Sequence, residues 1–376
     1  MPLDRRLLLA GAAAAVAAPY VARASVPVSP RSARAYSRRA ITLVRESLVI
    51  DMLAPLRIEV TPEYYAAALS SQEAADFLAS GITGFHHAFG LGGPNAREQA
   101  LSYLAIWGNF AARNSHVFSA IGSVSDLLRA KREGRCGVIM GIQNADQFQT
   151  VADVRFFHQI GLRCAQLTYN SQNRIGSGAT DRVDGGVSDF GASIIAAMNE
   201  VGMLVDVSHC GDRTTLDAIA LSKQPVSITH SNCRALVDHP RLKTDEAIKA
   251  MAATGGVMGI TGVRMFVRAS EPVSVAHVVD HVDHVAKLVG IEHVGVGTDA
   301  DLYGYDSVSA EFNKRLRAGY KESYAFRDRI DVDGFDHPLK IYDLTEELIR
   351  RGYSDSHVRL VLGGNFQRML KAVWGV

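Results

Sequence analysis

Two histidines carry the clearest chemical signal in this chain. Each ends a short, apolar and β-branched run, Met203-Leu204-Val205-Asp206-Val207-Ser208-His209 in one case and Pro225-Val226-Ser227-Ile228-Thr229-His230 in the other, and a helical pattern is expected directly after each. Runs of this kind suit buried parallel strands. Histidines at the same end of consecutive parallel strands meet at one mouth, which in a (β/α) barrel is the face that carries the active site. The residues closing the other apolar runs are Asp51, His86 or His87, Gln143, Tyr169 and Asp299, so the expected mouth is ringed by polar groups. His209, His230 and Asp299 form an N,N,O set able to hold one Zn²⁺ with a position left for water, whose pKa falls to about 7 in such sites. Asp206 and Asp301 are nearby carboxylates able to orient a ligand histidine or act as base. Arg234, read as one helical turn past His230, is expected to fork onto a substrate carboxylate, with Asn232 and Tyr169 as further substrate contacts.

The elements that must position these groups follow from periodicity. Strands are expected at 47–51, 81–87, 136–143, 163–169, 203–209, 225–230, 256–260 and 293–299, with a short extra strand at 117–121. Helical spacing fills most of the gaps, at 95–113, 124–133 and 151–159 among others. Alternating β and α units of this number predict a (β/α)8 TIM barrel with a C-terminal helical extension. An open doubly wound sheet is the competing architecture, and the absence of G-x-G-x-x-G after the first strand argues against it. The Gly- and Asp-rich loop 174–188 is long enough to be a lid, and the stretch 301–336 is acidic and aromatic. His277, His281 and His284 share one helical spacing and are read as a solvated outer face.

Composition bounds the rest. The chain has 376 residues, 47% hydrophobic and 21% charged, and a formal net charge of +1, so one large core is affordable and no field favours nucleic acid. Small molecules are the expected partners, and a homo-oligomer is compatible with the sequence. Asp4-Arg5-Arg6 followed by an alanine-rich apolar run and Ala22-Arg23-Ala24 has the layout of a twin-arginine-like export signal, which makes residues 1–24 a removable segment and 25–376 a single periplasmic or otherwise exported domain. That run is too short to span a bilayer, and no transmembrane segment is expected in the mature chain. The four cysteines contain no C-x-x-C pair and predict no disulfide framework.

Taken together, Val205-Asp206-Val207-Ser208-His209, then Ile228-Thr229-His230-Ser231-Asn232-Cys233-Arg234, then Gly295-Val296-Gly297-Thr298-Asp299, and finally Arg351-Gly352-Tyr353 and Gly363-Gly364-Asn365-Phe366-Gln367-Arg368 resemble the membrane (renal-type) dipeptidase family, peptidase M19, of the amidohydrolase superfamily. The resemblance covers essentially the whole mature chain. It implies a TIM barrel, a dizinc site and hydrolysis of dipeptides, with His209 and His230 matching two metal ligands, Arg234 the substrate-carboxylate arginine and Asp299 the strand-eight aspartate. This sequence departs from that pattern at the first strand, where Leu53 and Pro55 stand at two ligand positions, at Gln143 in place of the bridging glutamate, and at Tyr169 in place of a substrate-contacting histidine. The expectation is therefore a metallo-dipeptidase-like hydrolase with Asp299 and Tyr169 as catalytic groups and one Zn²⁺ at most, at His209, His230 and Asp299 with Gln143 at the bridging position. Two other readings compete with it. One is a family member kept as a binding or maturation factor, and the other is a non-hydrolytic enzyme of periplasmic natural-product processing.

Overall fold

The structure, a computed structural model, describes residues 35–59 and 62–375. The export segment expected at 1–24 lies outside the described residues.

Nine short parallel strands form the scaffold: β1 (Ile50–Asp51), β2 (Gly84–His87), β3 (Phe118–Ile121), β4 (Cys136–Ile142), β5 (Cys164–Gln166), β6 (Leu204–Asp206), β7 (Ile228–Ser231), β8 (Met258–Ile260) and β9 (Val294–Val296). Eight of them run in the order β6-β5-β4-β2-β1-β9-β8-β7, and β3 pairs β4 outside that path. A parallel bridge between Asp206 and Ser227, with Val207 N donating to Ser227 O and Ser227 N to Val205 O, joins β6 to β7 and closes the ring. The result is the expected (β/α)8 barrel. Its strands are apolar on both faces because helices cover the outside and side chains fill the inside, so Val138, Ile142, Val205, Ile228, Met258, Val294 and Val296 are all buried.

Local chemistry sets the helix limits. The helix Val124–Glu133 starts at Ser123, whose hydroxyl accepts from Asp126 N, and stops at left-handed Gly134, with Val124, Leu127 and Ala130 facing the sheet. At the opposite end of the barrel from the histidines, the C-terminal extension seals the floor. Phe366 packs so closely on β9 that a Cβ at Gly295 would lie 2.5 Å from its ring, and Arg368 donates to Gly255 O and Glu292 O. Arg351 ties the helix Lys340–Arg350 to the helix Val275–Val289 through Asp280 and Asp283.

Three expectations change. The chain after His230 runs as a loop, and the next helix, Asp245–Ala253, begins well beyond it. The stretch 301–336 contains the helix Ala310–Ala318 and folds back across the barrel mouth. Its two ends are stitched together: Asp331 accepts from Tyr305 N and Asp306 N, while Asp306 accepts from Ile330 N and Asp331 N. Gly304, at φ +84, begins this neck, and a Cβ there would meet the Asp331 carboxylate at 2.4 Å. Finally, His281 is buried instead of solvated, accepting from Cys233 N and donating to Val267 O. Its two neighbours do remain near the surface, His284 against Asp245 and His277 capping its own helix.

Candidate active site

His209 and His230 face each other across the barrel mouth with their Nε2 atoms 2.9 Å apart, and both are essentially inaccessible to solvent. Their tautomers follow from their partners. The Ser208 and Thr229 hydroxyls each donate to Asp206 at 2.6 Å, which uses the single hydrogen each possesses. Thr229 Oγ1 can then only accept from His230 Nδ1, 2.8 Å away, and His209 Nδ1 donates to Asn170 Oδ1 at 2.7 Å. Both imidazoles therefore turn a bare Nε2 lone pair toward the other. Burial, then the Arg241 charge, holds both rings well below the ordinary histidine pKa, so they stay neutral.

The other rim groups fall into two sets. Tyr169 stacks on His209 at 4.2 Å between ring centroids and shares a 2.6 Å hydrogen bond with Tyr320. Asp299 takes a left-handed turn (φ 55) at the end of β9, which aims its carboxylate at Tyr305 and the mouth; burial raises its pKa to about 7 against the opposing pull of Arg241. Gln143 sits at the rim with its amide nitrogen on Ala88 O. These groups surround the histidines, yet among the described residues no three His, Cys, Asp or Glu side chains come close enough to hold one ion. Asn232 is occupied elsewhere: its amide spans Thr261 N, Thr261 O and Phe266 O and ties β7 to β8. Asp301 is likewise turned away, accepting from Ile58 N and Tyr303 N.

Arg234 does not reach the mouth. It pairs with Asp212 and donates to Leu242 O and Pro240 O, on the outer side of the loop. The arginine that does reach it is Arg241. The segment after β7 doubles back, with Arg234 N on Lys243 O and Lys243 N on Asn232 O, and this loop carries Arg241 inward. There its guanidinium donates to Ser208 O and His230 O, lies beside Tyr324, and keeps a buried Nε–H with no partner. Its sequence signal was slight, a basic residue among Val237, Pro240 and Leu242 that reads as surface until the loop path is known.

His86 and His87 add no ligand to the pair. His86 donates to Met52 O and fills the barrel interior over β4, where a Cβ at Gly141 would sit 1.7 Å from its Nε2. His87 accepts from Leu56 N and packs its ring 4.2 Å from that of Trp107.

Nitrogen ligands of a tetrahedral zinc lie about 3.3 Å apart, close to the 2.9 Å found here, so the spacing of the pair suits one cation. Gln143 is a neutral amide, and the buried side chains of Leu53 and Pro55 carry no donor.

Residues 45–317 and 325–376 match the sequence profile of membrane dipeptidase (peptidase family M19). The chain belongs to that family of metallopeptidases. It is 31% identical over 252 residues to the dipeptidase verJ of Clonostachys rogersoniana (66% of this chain, 58% of that one) and 29% identical over 252 residues to the dipeptidase tcpJ of Claviceps purpurea (66% and 53%). These matches span little more than half the length of those relatives. In fold it resembles an amidohydrolase from Pseudomonas aeruginosa, with a TM-score of 0.78, 30% identity and coverage of 90% of this chain and 99% of the other. The probable dipeptidase PvdM of Pseudomonas aeruginosa shares the fold at a TM-score of 0.73 and 21% identity, over 89% and 98% of the two chains. No helix among the described residues is long and apolar enough to cross a membrane.

Proposed function

We propose that this chain is an exported dipeptidase-family hydrolase that cleaves dipeptides or related small amides and holds no more than one zinc ion, at His209 and His230. The observation that carries the proposal is the pair of converging Nε2 lone pairs at 2.9 Å, an arrangement that repels itself until a cation or a proton is shared. Burial disfavours the proton, which leaves the cation. Zinc there supplies a water acidic enough to yield hydroxide near neutral pH. The protein groups do the remaining work. Asn170 and the Asp206–Thr229 pair keep the two imidazoles in ligand form. Arg241 offers its unpartnered Nε–H to the carboxylate of a zwitterionic substrate. Asp299, with a pKa of about 7, is poised to take a proton and return it, and the Tyr169 phenol closes the wall over His209. Export rests on Arg5-Arg6, the apolar run and Ala22-Arg23-Ala24.

A second reading is supported by the missing third ligand and by Gln143: a family member repurposed for binding or for non-hydrolytic maturation chemistry. Equilibrium dialysis against Zn²⁺ with dipeptide hydrolysis measured alongside separates the two. One zinc per chain, lost together with hydrolysis in His209→Ala, supports the hydrolase. No zinc and no hydrolysis at high added zinc transfers the case to the second reading, and two tightly held ions overturn the single-metal site.

A further inference from the structure

The family match breaks once within the barrel domain, between residues 317 and 325. The seven residues skipped, 318–324, include Tyr320, Lys321 and Tyr324, and all three touch the mouth. Tyr320 bonds the Tyr169 hydroxyl at 2.6 Å, Lys321 donates to Thr180 O at 2.8 Å and lies 3.4 Å from Asp181, and Tyr324 is buried against Arg241 and accepts on its carbonyl from His239. Tyr169 and Tyr320 lie far apart in sequence and meet in one hydrogen bond. The stitched neck at Asp306 and Asp331 holds the two ends of the excursion together, and within it Tyr324 packs on Val263 and Phe266. Under it, His209 and His230 have essentially no exposed surface, so nothing the size of a dipeptide contacts their Nε2 atoms while the segment lies in this position.

We infer that segment 318–324 is a lid over the barrel mouth, latched shut by the Tyr169–Tyr320 phenol pair and the Lys321–Asp181 ion pair, and that it must open before any ligand reaches the two histidines. This holds whichever chemistry those histidines perform, so its test reads the lid alone. Diethyl pyrocarbonate acylates neutral imidazole nitrogens, and residue-resolved mass spectrometry follows His209 and His230 in the full chain against exposed His116 and His357 and against His86 inside the barrel. In the wild type the pair labels far more slowly than the exposed histidines. Tyr320→Phe, which removes only the latch hydroxyl, speeds labelling of the pair by up to about tenfold, the worth of one net hydrogen bond, with His116, His357 and His86 unchanged. Tyr320→Ala speeds it further; a simultaneous rise at His86 marks general unfolding and hands the decision to Tyr320→Phe and to cross-linking. Zero-length carbodiimide coupling of Lys321 to Asp181 slows labelling in the wild type and leaves Lys321→Gln unaffected. Labelling of the wild-type pair as fast as His116, or unchanged rates in Tyr320→Phe together with no effect of the Lys321–Asp181 cross-link, overturns the lid.

Discussion

Replacing Asp206 by Asn changes a group that touches no substrate, yet it should switch the proton on His230. In the wild type Asp206 Oδ1 accepts from Ser208 N, Ser208 Oγ and Thr229 N, and Oδ2 accepts from Thr229 Oγ1 alone. An amide NH₂ cannot face the three donors at the first position, so it must take the second. There it donates to Thr229 Oγ1, whose own hydrogen is released toward His230 Nδ1. The imidazole proton then moves to Nε2, and the lone pair that faces His209 is lost. All four hydrogen bonds to the carboxylate lose their charge assistance, at a cost on the order of 1 kcal/mol of stability each. The larger effect is on the cation: altering a group that orients a ligand histidine typically lowers metal affinity about 10–100-fold, and here the ligand atom itself is protonated. Long-range ¹H–¹⁵N spectra of histidine-labelled protein report the tautomer directly, and a zinc titration reports the affinity. The reasoning fails if His230 carries its proton on Nε2 in the wild type, or if Asp206→Asn changes neither the tautomer nor zinc uptake.

Two more outcomes follow from the same geometry. Arg241→Met should weaken binding of a dipeptide by about 10–100-fold, the range for removing a hydrogen bond to a charged group, whereas Arg234→Ala should leave it within twofold or so; calorimetric titration of both variants decides which arginine holds the carboxylate. His281 is buried neutral with its pKa lowered to about 4 by desolvation, so the unfolded chain binds a proton below about pH 6.5 that the folded chain refuses until near pH 4, and stability is lost as pH falls through that window. His281→Gln should therefore remove about 1.4 kcal/mol per pH unit from the slope of stability between pH 6 and 4.5, measured by urea denaturation; an unchanged slope contradicts the burial argument.

The barrel was legible because each strand is an apolar run that ends in a polar residue, a pattern that survives even where only two or three residues pair, as in β1, β5 and β6. The histidine pair was legible for the same reason. The arginine was not. Arg234 and Arg241 both follow His230, and a helix after β7 would have put Arg234 at the mouth; instead backbone bonds between 232–234 and 243 fold the segment into a loop that carries Arg241 there. Tertiary hydrogen bonds, which periodicity does not encode, made that choice. Asn170 was hidden for a related reason, since its role depends on a left-handed backbone (φ 61) beside Tyr169. The aromatic character of 301–336 was visible, and its course over the mouth was not, because the reciprocal Asp306–Asp331 neck joins residues some 25 positions apart.

That neck has a meaning for how such a protein changes over time. An excursion whose two ends already hold each other can lengthen, shorten or be exchanged without leaving a gap in the wall it springs from. The eight strands below need not register the event, since their floor is sealed at the opposite end by Phe366 and Arg368.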